Sequence, residues 1–309
     1  MIGERGVCPL CGSPAAPALP LAQTTVRACE SKDCGLRFAD PQPTEEELGL
    51  AYTNLYYPGK EKEQAVRFEN TPVETLRQVF EGLESRRGNL RGLRLLDFGC
   101  GRGPLLRVAL EFGMFPSGIE SDSEARSEAA KIPGAAIYAS VEELRRSEPH
   151  ARFDVIVLWT VIEHLRMPWM DLARLRTLLS PGGWLFLSTM DIRCLRARLE
   201  RARWENYENP THLYYFDRQS LARTIRQAGF TDFFEWRLKI RHPHHGLLRR
   251  LAYSLSFSLR LADGLFYLCK ATEQDSDFHM TPALPMEVDE ATPNRQLQER
   301  SSFHVGEGS

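Results

Sequence analysis

The sequence predicts an α/β protein with a doubly wound, mostly parallel sheet, helices on both faces of that sheet, and a small ribbon-like module at the N-terminus. Short apolar runs alternate with segments of helical periodicity between residues 93 and 229, and the runs 153–158 and 184–189 are continuously apolar. Such runs are typical of parallel strands that are covered on both faces. Two pairs of cysteines within residues 1–40 predict the module.

The composition fits one large domain with additions. The chain has 309 residues, 42% of them hydrophobic, and a formal net charge of −2. A nearly balanced charge gives no general attraction to nucleic acid or to anionic membranes. The N-terminus has no basic and apolar leader, and no apolar run reaches the length of a membrane span. We therefore expect a soluble, cytoplasmic protein.

Four of the seven cysteines form two pairs, Cys8 with Cys11 and Cys29 with Cys34, and 17 residues separate the pairs. An odd number of cysteines in a long chain without a secretion leader argues against a disulfide framework. The count and spacing instead match a tetrahedral structural zinc site, in which four thiolates leave no open position for catalysis. Because residues 1–40 have few large apolar side chains, we expect Zn²⁺ to stabilise this module. A role in partner binding stays open.

The other elements follow in chain order. A capping box from Thr44 to Glu47 predicts a short helix to about residue 52, and apolar residues at helical spacing predict a second helix over 72–88. The stretch 247–262 is amphipathic and is expected to cover the sheet, although a position on a membrane surface is an alternative. We expect strands at 93–98, 116–120, 135–138, 153–158, 184–189, 230–238 and 265–271, and helices at 105–112 and 219–229.

The most informative motif is an apolar strand that leads through Asp97 into three glycines and then into a helix. Glycines at such a turn allow the backbone to approach a ligand closely. A dinucleotide-binding turn would have its third glycine at position 104, but that residue is Pro104 and the glycine lies at 103. The spacing favours a nucleoside ligand without phosphates. Glu120 ends the next predicted strand, where a carboxylate can accept hydrogen bonds from both ribose hydroxyls.

Together these motifs resemble the class I S-adenosylmethionine-dependent methyltransferases, which have a Rossmann-like fold. The resemblance implies that Asp97 positions the methionine end of the cofactor, that the glycines pass beneath it, and that Glu120 binds the ribose. Many relatives have an acidic residue after the third strand that binds the adenine amino group, whereas this chain offers only the Ser140 hydroxyl there. Trp159 and Thr160 are expected near the sulfonium and the adenine, although core packing of Trp159 is nearly as well supported. The motifs that carry the resemblance are Asp97-x-Gly99-x-Gly101-x-Gly103, Glu120, residues 153–157, Glu163-His164 and Pro181-Gly182-Gly183. The candidate cofactor residues are Asp97, Gly99, Cys100, Gly101, Gly103, Glu120, Ser140, Trp159 and Thr160.

Three side chains are candidates for catalysis: His212, His164 and Tyr214. Methyl transfer needs mainly alignment and removal of a proton from the acceptor. Residues 209–216 resemble a segment with proline, then His-Leu and aromatics, found in small-molecule methyltransferases. His212 is therefore the first choice for the general base, with Tyr214 as a helper, and the alternative is that His212 only pins its loop.

The pair Glu163-His164 resembles that of the ubiquinone-type O-methyltransferases, some of which add an earlier glutamate and bind a divalent metal. Thr160 occupies that earlier position here, which argues against a catalytic metal. A capping or packing role for His164 is as well supported as a catalytic one.

The resemblance implies methyl transfer to an oxygen, or less readily a carbon or nitrogen, of a small-molecule or glycan-precursor acceptor. Five arginines within 193–203 predict either recognition of an anionic or carrier-linked acceptor or, with more weight, a solvated helix face. A nucleic-acid methyltransferase is one alternative, but no Asn-Pro-Pro-Tyr-like motif follows the fourth strand. A non-catalytic adaptor is another, and the intact glycine turn argues against it. The predicted organisation is a zinc module (1–40), a helical linker covering the cofactor (41–88), a methyltransferase domain (89–271) with a lid insertion (191–216), and a disordered acidic tail (272–309).

Overall fold

The computed structural model describes residues 6–21, 24–55, 73–237 and 263–272, without the side chains of 52–55. These residues all belong to one compact unit, Met1–Phe278. The predicted amphipathic stretch 247–262 and the predicted tail beyond residue 272 lie outside the described residues.

Twelve strands occur among the described residues and form two sheets. The strands are β1 (Gly6–Val7), β2 (Pro14–Pro20), β3 (Thr25–Cys29), β4 (Arg37–Asp40), β5 (Arg94–Phe98), β6 (Phe115–Ile119), β7 (Ala136–Tyr138), β8 (Phe153–Trp159), β9 (Leu179–Met190), β10 (Tyr214–Tyr215), β11 (Asp232–Glu235) and β12 (Gly264–Lys270). The helices are α1 (Glu45–Leu55), α2 (Val73–Arg87), α3 (Pro104–Glu111), α4 (Ser123–Ala129), α5 (Val141–Ser147), α6 (Pro168–Arg176), α7 (Leu195–Glu200) and α8 (Arg218–Gln227).

The large sheet has seven strands in the order β11-β12-β9-β8-β5-β6-β7. The pairs from β9 to β7 are parallel, and β12 is antiparallel to both β9 and β11. This confirms the predicted mostly parallel, doubly wound sheet. The chain moves outward from β5 through β6 to β7 and then returns to β8, so the winding reverses between β5 and β8. In such sheets, ligands bind at the carboxyl ends of the strands beside this reversal.

The sheet is covered on both faces, as its continuous apolar strands predict. Leu95 and Leu96, neighbours in β5, point to opposite faces and belong to different hydrophobic clusters. One cluster includes apolar side chains of α2, α3 and α4, and the other includes those of α5, α6 and α8. The sheet is therefore the middle layer of three.

Most predicted bounds agree with the structure to within one or two residues. α1 continues about three residues beyond its predicted end, and three other stretches differ from their predictions. The predicted strand 184–189 is part of a longer strand, because β9 already pairs with Phe153 at Leu179, ahead of a register shift. The predicted strand 230–238 is shorter, since β11 pairs with β12 only over Asp232–Glu235. The arginine-rich stretch forms only the six-residue α7, followed by 3-10 turns at Arg201–Arg203 and Glu205–Tyr207.

The small sheet is antiparallel and has the order β1-β2-β3-β4-β10. Its first four strands come from the cysteine-rich module, and β10 comes from the segment that follows His212. Leu36 and Phe38 of the module belong to the same hydrophobic cluster as Leu158 in the large sheet. The module, which has few large apolar residues of its own, is thus stabilised by packing against the main domain.

Candidate active site

Four neighbouring parallel strands end beside the candidate cofactor residues. Asp97 lies near the end of β5, Glu120 follows β6, Ser140 follows β7 and Thr160 follows β8. Because these strands are adjacent in the order β8-β5-β6-β7, their carboxyl ends share one edge of the sheet. The structure therefore brings the residues named from separate motifs to one place, beside the reversal of winding.

The turn after β5 requires glycine for both conformation and space. Gly99, Gly101 and Gly103 have φ values of 78°, 53° and 79°, in the left-handed region. A Cβ atom at Gly99 would lie 2.7 Å from Cγ2 of Val161, and one at Gly103 would lie 2.4 Å from Cδ1 of Ile132. The turn is thus packed tightly from two sides, and Val161 belongs to the segment that leads into Glu163 and His164.

Glu120 is fixed against this turn by main-chain hydrogen bonds. Its Oε2 accepts from the amide of Gly101 and its Oε1 from the amide of Asp122, each at 2.8 Å. Burial raises the pKa of Glu120, and these amide bonds oppose the rise. Each oxygen keeps a second lone pair, so a carboxylate held in this way can still accept a ribose hydroxyl.

Asp97 is 2% exposed, and burial together with the charge of Glu120 raises its pKa to about 8. The neighbouring Cys100 faces away from the edge: its thiol is buried so close to Gly118 that a Cβ there would lie 2.6 Å from the sulfur. The side chain of Cys100 therefore packs against β6.

The remaining candidate cofactor residues differ in how they are held. The ring of Trp159 packs 6.0 Å, between centroids, from both Phe186 and Phe266. Thr160 is exposed and has a φ of 52°, which is uncommon for a β-branched residue. The Ser140 hydroxyl caps α5 by accepting from the amide of Glu143 at 3.2 Å. No sequence pattern indicated the strained backbone at Thr160, and such strain is frequent at functional sites.

Three titratable side chains named from two distant motifs meet beyond β8. One donor atom each of Glu163, His164 and His212 lies within 4.8 Å of the other two, and the histidine ring centroids are 4.8 Å apart. We call Glu163, His164 and His212 the acid–base cluster. Glu163 and His164 come two and three residues after Val161, which packs against Gly99 of the glycine turn.

Hydrogen bonds set the tautomers of both imidazoles. Nδ1 of His164 donates to the carbonyl of Thr211, and Nδ1 of His212 donates to the carbonyl of Asn206, each at 2.9 Å. Nε2 of His212 accepts from the side-chain amide of Asn209 at 3.2 Å. Burial lowers the pKa of His212 well below its ordinary value and that of His164 to about 4. Both rings are therefore neutral at pH 7.

Glu163 is 1% exposed, and neither of its carboxylate oxygens has a well-formed hydrogen bond within the described part of the chain. Burial raises its pKa to about 7, and the backbone amide of Glu163 itself and the nearby Thr189 hydroxyl offset this only in part. A fully buried carboxyl group without strong partners costs stability, and such groups are frequent at functional sites. Sequence reasoning placed Glu163 in a motif but did not name it, or Asn209, as a site residue.

Tyr214 is buried, and its hydroxyl donates to the carbonyl of Arg166 at 2.8 Å. Burial raises the pKa of Tyr214 to about 12. Two of the five arginines within 193–203 are paired with carboxylates: Arg193 with Asp217 at 2.7 Å, and Arg196 with Glu205 at 2.5 Å. These pairs favour the alternative of a structural, solvated face.

The four cysteines of the module converge. Sγ of Cys8 lies 3.8 Å from Sγ of Cys34, Sγ of Cys11 lies 3.5 Å from Sγ of Cys29, and all four sulfurs are within 4.8 Å of one another. None of the four is in a disulfide. A tetrahedron with Zn–S bonds of about 2.3 Å has edges of about 3.8 Å, so the spacing fits a zinc ion.

A family model described as a methyltransferase domain matches residues 69–233, which is more than half of the chain. The chain belongs to this methyltransferase family. The predicted class, an S-adenosylmethionine-dependent methyltransferase, is confirmed.

Similar proteins and structures agree with this assignment. The methyltransferase is 31% identical over 176 residues to the ubiquinone biosynthesis O-methyltransferase of Burkholderia pseudomallei, covering 52% of this chain and 74% of that protein. The enzyme of the same name from Burkholderia lata is 33% identical over 139 residues, covering 42% and 58%. The plantazolicin methyltransferase BamL, solved with SAH, has a TM-score of 0.53 at 16% identity and covers 73% of this chain and 96% of its own. The related BpumL has a TM-score of 0.51. At this identity the two structures show the fold alone.

The methyltransferase shows no helix, within the residues that the structure describes, that is both long and apolar enough to cross a membrane. The roles predicted for individual cofactor and catalytic residues stay predictions, and they form the basis of the proposals below.

Proposed function

We propose that this methyltransferase transfers a methyl group from S-adenosylmethionine to an oxygen of a small-molecule or glycan-precursor acceptor. The observation that carries the proposal is the acid–base cluster, two members of which closely follow Val161, the residue that contacts Gly99 of the glycine turn. O-methylation needs a neutral base near the transferred methyl group, and both histidines are neutral at pH 7. The O-methyltransferase names of the similar Burkholderia proteins support the same acceptor atom.

The cofactor is proposed to lie along the edge formed by β8, β5, β6 and β7. Glu120 would accept the ribose hydroxyls, Asp97 would face the methionine ammonium, and the Trp159–Thr160 segment would border the sulfonium. S-adenosylmethionine supplies an activated methyl group, so the protein's part is alignment, exclusion of water and removal of one proton.

The two histidines are proposed to have different roles. Because Nε2 of the 5%-exposed His212 accepts from Asn209, this ring is held on both sides. His164 is less buried than His212, which favours His164 as the base that contacts the acceptor and His212 as the residue that positions it. This order reverses the preference drawn from the sequence segment 209–216.

Calorimetric titration with S-adenosylhomocysteine tests the cofactor site. We expect Glu120→Gln, which keeps the shape but removes the charge, to weaken binding by about 10- to 100-fold, the range for charge-assisted hydrogen bonds. Glu111→Gln serves as the control, because Glu111 is exposed and pairs with Arg77 on the outside of the fold. Equal affinities of the wild type and Glu120→Gln would exclude Glu120 from the site.

A panel of small-molecule acceptors, with release of S-adenosylhomocysteine as the readout, tests the base. Loss of a general base lowers kcat by about 10²- to 10⁴-fold. We expect that loss in His164→Gln with cofactor affinity unchanged, and a smaller loss in His212→Gln, which keeps a side-chain hydrogen-bonding group. The opposite order would return the role of base to His212.

We further propose that Cys8, Cys11, Cys29 and Cys34 hold one structural Zn²⁺. Four sulfurs at tetrahedral spacing support this, and the ion would hold the ends of the module hairpins together while taking no part in methyl transfer. Elemental analysis should find one zinc per chain in the wild type and in Cys194→Ser, a buried cysteine elsewhere in the fold, and much less in Cys11→Ser. Full zinc content in Cys11→Ser would contradict the assignment.

A further inference from the structure

We propose that the module of residues 6–40 positions the acid–base cluster, so that its zinc site controls the rate of methyl transfer without controlling cofactor affinity. The zinc part of this inference rests on the proposed function, and the positioning part rests on the shared small sheet. The module would then be a working part of the acceptor side of the site.

A row of main-chain hydrogen bonds connects the module to the cluster. β4 pairs with β10 in antiparallel register, with Tyr214 opposite Phe38. The amide of Ala39 donates to the carbonyl of Leu213, and the amide of Leu213 donates to the carbonyl of Glu163, each at 2.9 Å. Leu213 directly follows His212, so this one residue is bonded to the module on one side and to the cluster on the other.

Side chains on both faces of β10 strengthen the connection. On one face, the buried Tyr214 shares a hydrophobic cluster with Leu36 and Phe38 of the module. On the other face, Tyr215 packs with Val26 of β3 and with Trp204, which follows α7. The module therefore supports both the His212 segment and the predicted lid.

The cysteines lie where a metal would set the position of β4. Cys29 ends β3, and Cys34 lies just before β4 in the connection between these strands. The amide of Cys29 donates to the carbonyl of Leu36 at 2.9 Å, which closes the hairpin. A metal bound to both sulfurs would fix the ends of β3 and β4 relative to each other, and loss of the metal would release them.

The hydrogen bonds that shape the cofactor edge come from other residues. The amides of Gly99 and Cys100 donate to the carbonyl of Ile119 at 2.8 and 3.0 Å, and Glu120 accepts from Gly101. All of these bonds lie within the β5 and β6 region and none includes a residue of the module. Release of the module should therefore disturb the cluster while the cofactor edge stays formed.

The first test removes zinc from the wild-type protein with a chelator and then restores it. We expect the zinc-free protein to bind S-adenosylhomocysteine within about threefold of the zinc-loaded affinity, and its kcat to fall by about tenfold or more. Hydrogen exchange in peptides covering 211–216 should become faster, and zinc should reverse both changes. Loss of cofactor binding along with activity would overturn the selective role, because zinc would then support the whole fold.

The second test breaks the row of main-chain hydrogen bonds between the module and the cluster and leaves the cysteines unchanged. Ala39→Pro removes the amide that donates to Leu213. Ala18→Pro is the control, since Ala18 is exposed at an irregularity of β2 on the side of the sheet away from β10. We expect Ala39→Pro alone to speed exchange over 211–216 and lower kcat, with zinc content and cofactor affinity retained.

The outcomes separate the two proposals. If the purified protein contains no zinc and binds none, the zinc assignment fails, and Ala39→Pro still tests the positioning role. If exchange over 211–216 is faster in Ala39→Pro but kcat is unchanged, the positioning role is wrong.

Discussion

The raised pKa of Asp97 predicts that cofactor binding releases a proton. Burial and the charge of Glu120 raise the pKa of Asp97 to about 8, so at pH 7 the ligand-free protein holds this group about 90% protonated. The ammonium of a bound methionine moiety favours the carboxylate. Binding should therefore ionise Asp97 and release its proton into the solvent.

The size of the effect follows from the ionised fraction. A ligand that binds only the ionised form has an apparent affinity proportional to that fraction, which rises from about 1% at pH 6 to about 50% at pH 8. The affinity for S-adenosylhomocysteine should rise about 50-fold over this interval, and about 0.9 proton should be released per ligand at pH 7. An exposed aspartate would give no such rise, because its ionisation is already complete at pH 6.

Titration calorimetry at pH 7 in two buffers with different enthalpies of ionisation measures the released proton directly. Asp97→Asn should release none and should show a nearly constant affinity between pH 6 and 8. Asp154→Asn is the control, because Asp154 is an aspartate at the other end of the neighbouring strand β8. A binding enthalpy that is the same in both buffers, with constant wild-type affinity, would show that Asp97 is already ionised or does not face the ligand.

Three further predictions concern stability. Gly103→Ala should destabilise the protein by about 1–3 kcal/mol more than Gly92→Ala in urea unfolding, because both have φ near 80° but only a Cβ at 103 meets a neighbouring side chain; equal losses would contradict the packing argument. The pKa of Glu163 rises from 4.5 to about 7 on folding, so this group favours folding below pH 4.5 and that contribution is lost as the pH rises through 7. The free energy of unfolding of Glu163→Gln should therefore exceed that of the wild type by up to about 3 kcal/mol at pH 8 and by little at pH 4.5. A difference that is independent of pH would refute this. Arg218→Met should cost about 3 kcal/mol in thermal or urea unfolding, because it leaves the fully buried Asp191 without its cation at 2.5 Å; a loss below about 1 kcal/mol would mean that solvent compensates the charge.

The fold was predictable from the sequence because the patterns that indicate it lie close together along the chain. The apolar run of β5, the glycine turn and the start of α3 at Pro104 are consecutive, and each constrains the next. Strand bounds were less predictable where pairing sets them. β9 begins at Leu179 because a partner, Phe153, is available there, and no feature of residues 179–183 alone indicates a strand.

The small sheet shows the limit of local reasoning more clearly. β2 contains Pro14, Pro17 and Pro20, a composition that argues against a strand. Among the described residues β1 pairs with Pro14 and Ala15 only, so Pro17 and Pro20 have no strand partner on this side of β2 there. β10 has only two residues, and its partner β4 lies more than 170 residues earlier, so periodicity could not reveal it.

The acid–base cluster joins hypotheses that the sequence could only treat as separate. From sequence, a role in pinning the loop and a role in catalysis were alternatives for His212, each to be weighed alone. In the structure the hydrogen bond from Nδ1 to Asn206 both pins the loop and fixes the neutral tautomer, so pinning the loop also sets the position of the ring within the cluster. The same holds for His164, whose bond to Thr211 ties it to the segment that carries His212. Because Leu213 connects that segment to both Glu163 and β4, the useful unit for assigning function is the connected set of side chains, and no single motif within it can be assigned a role alone.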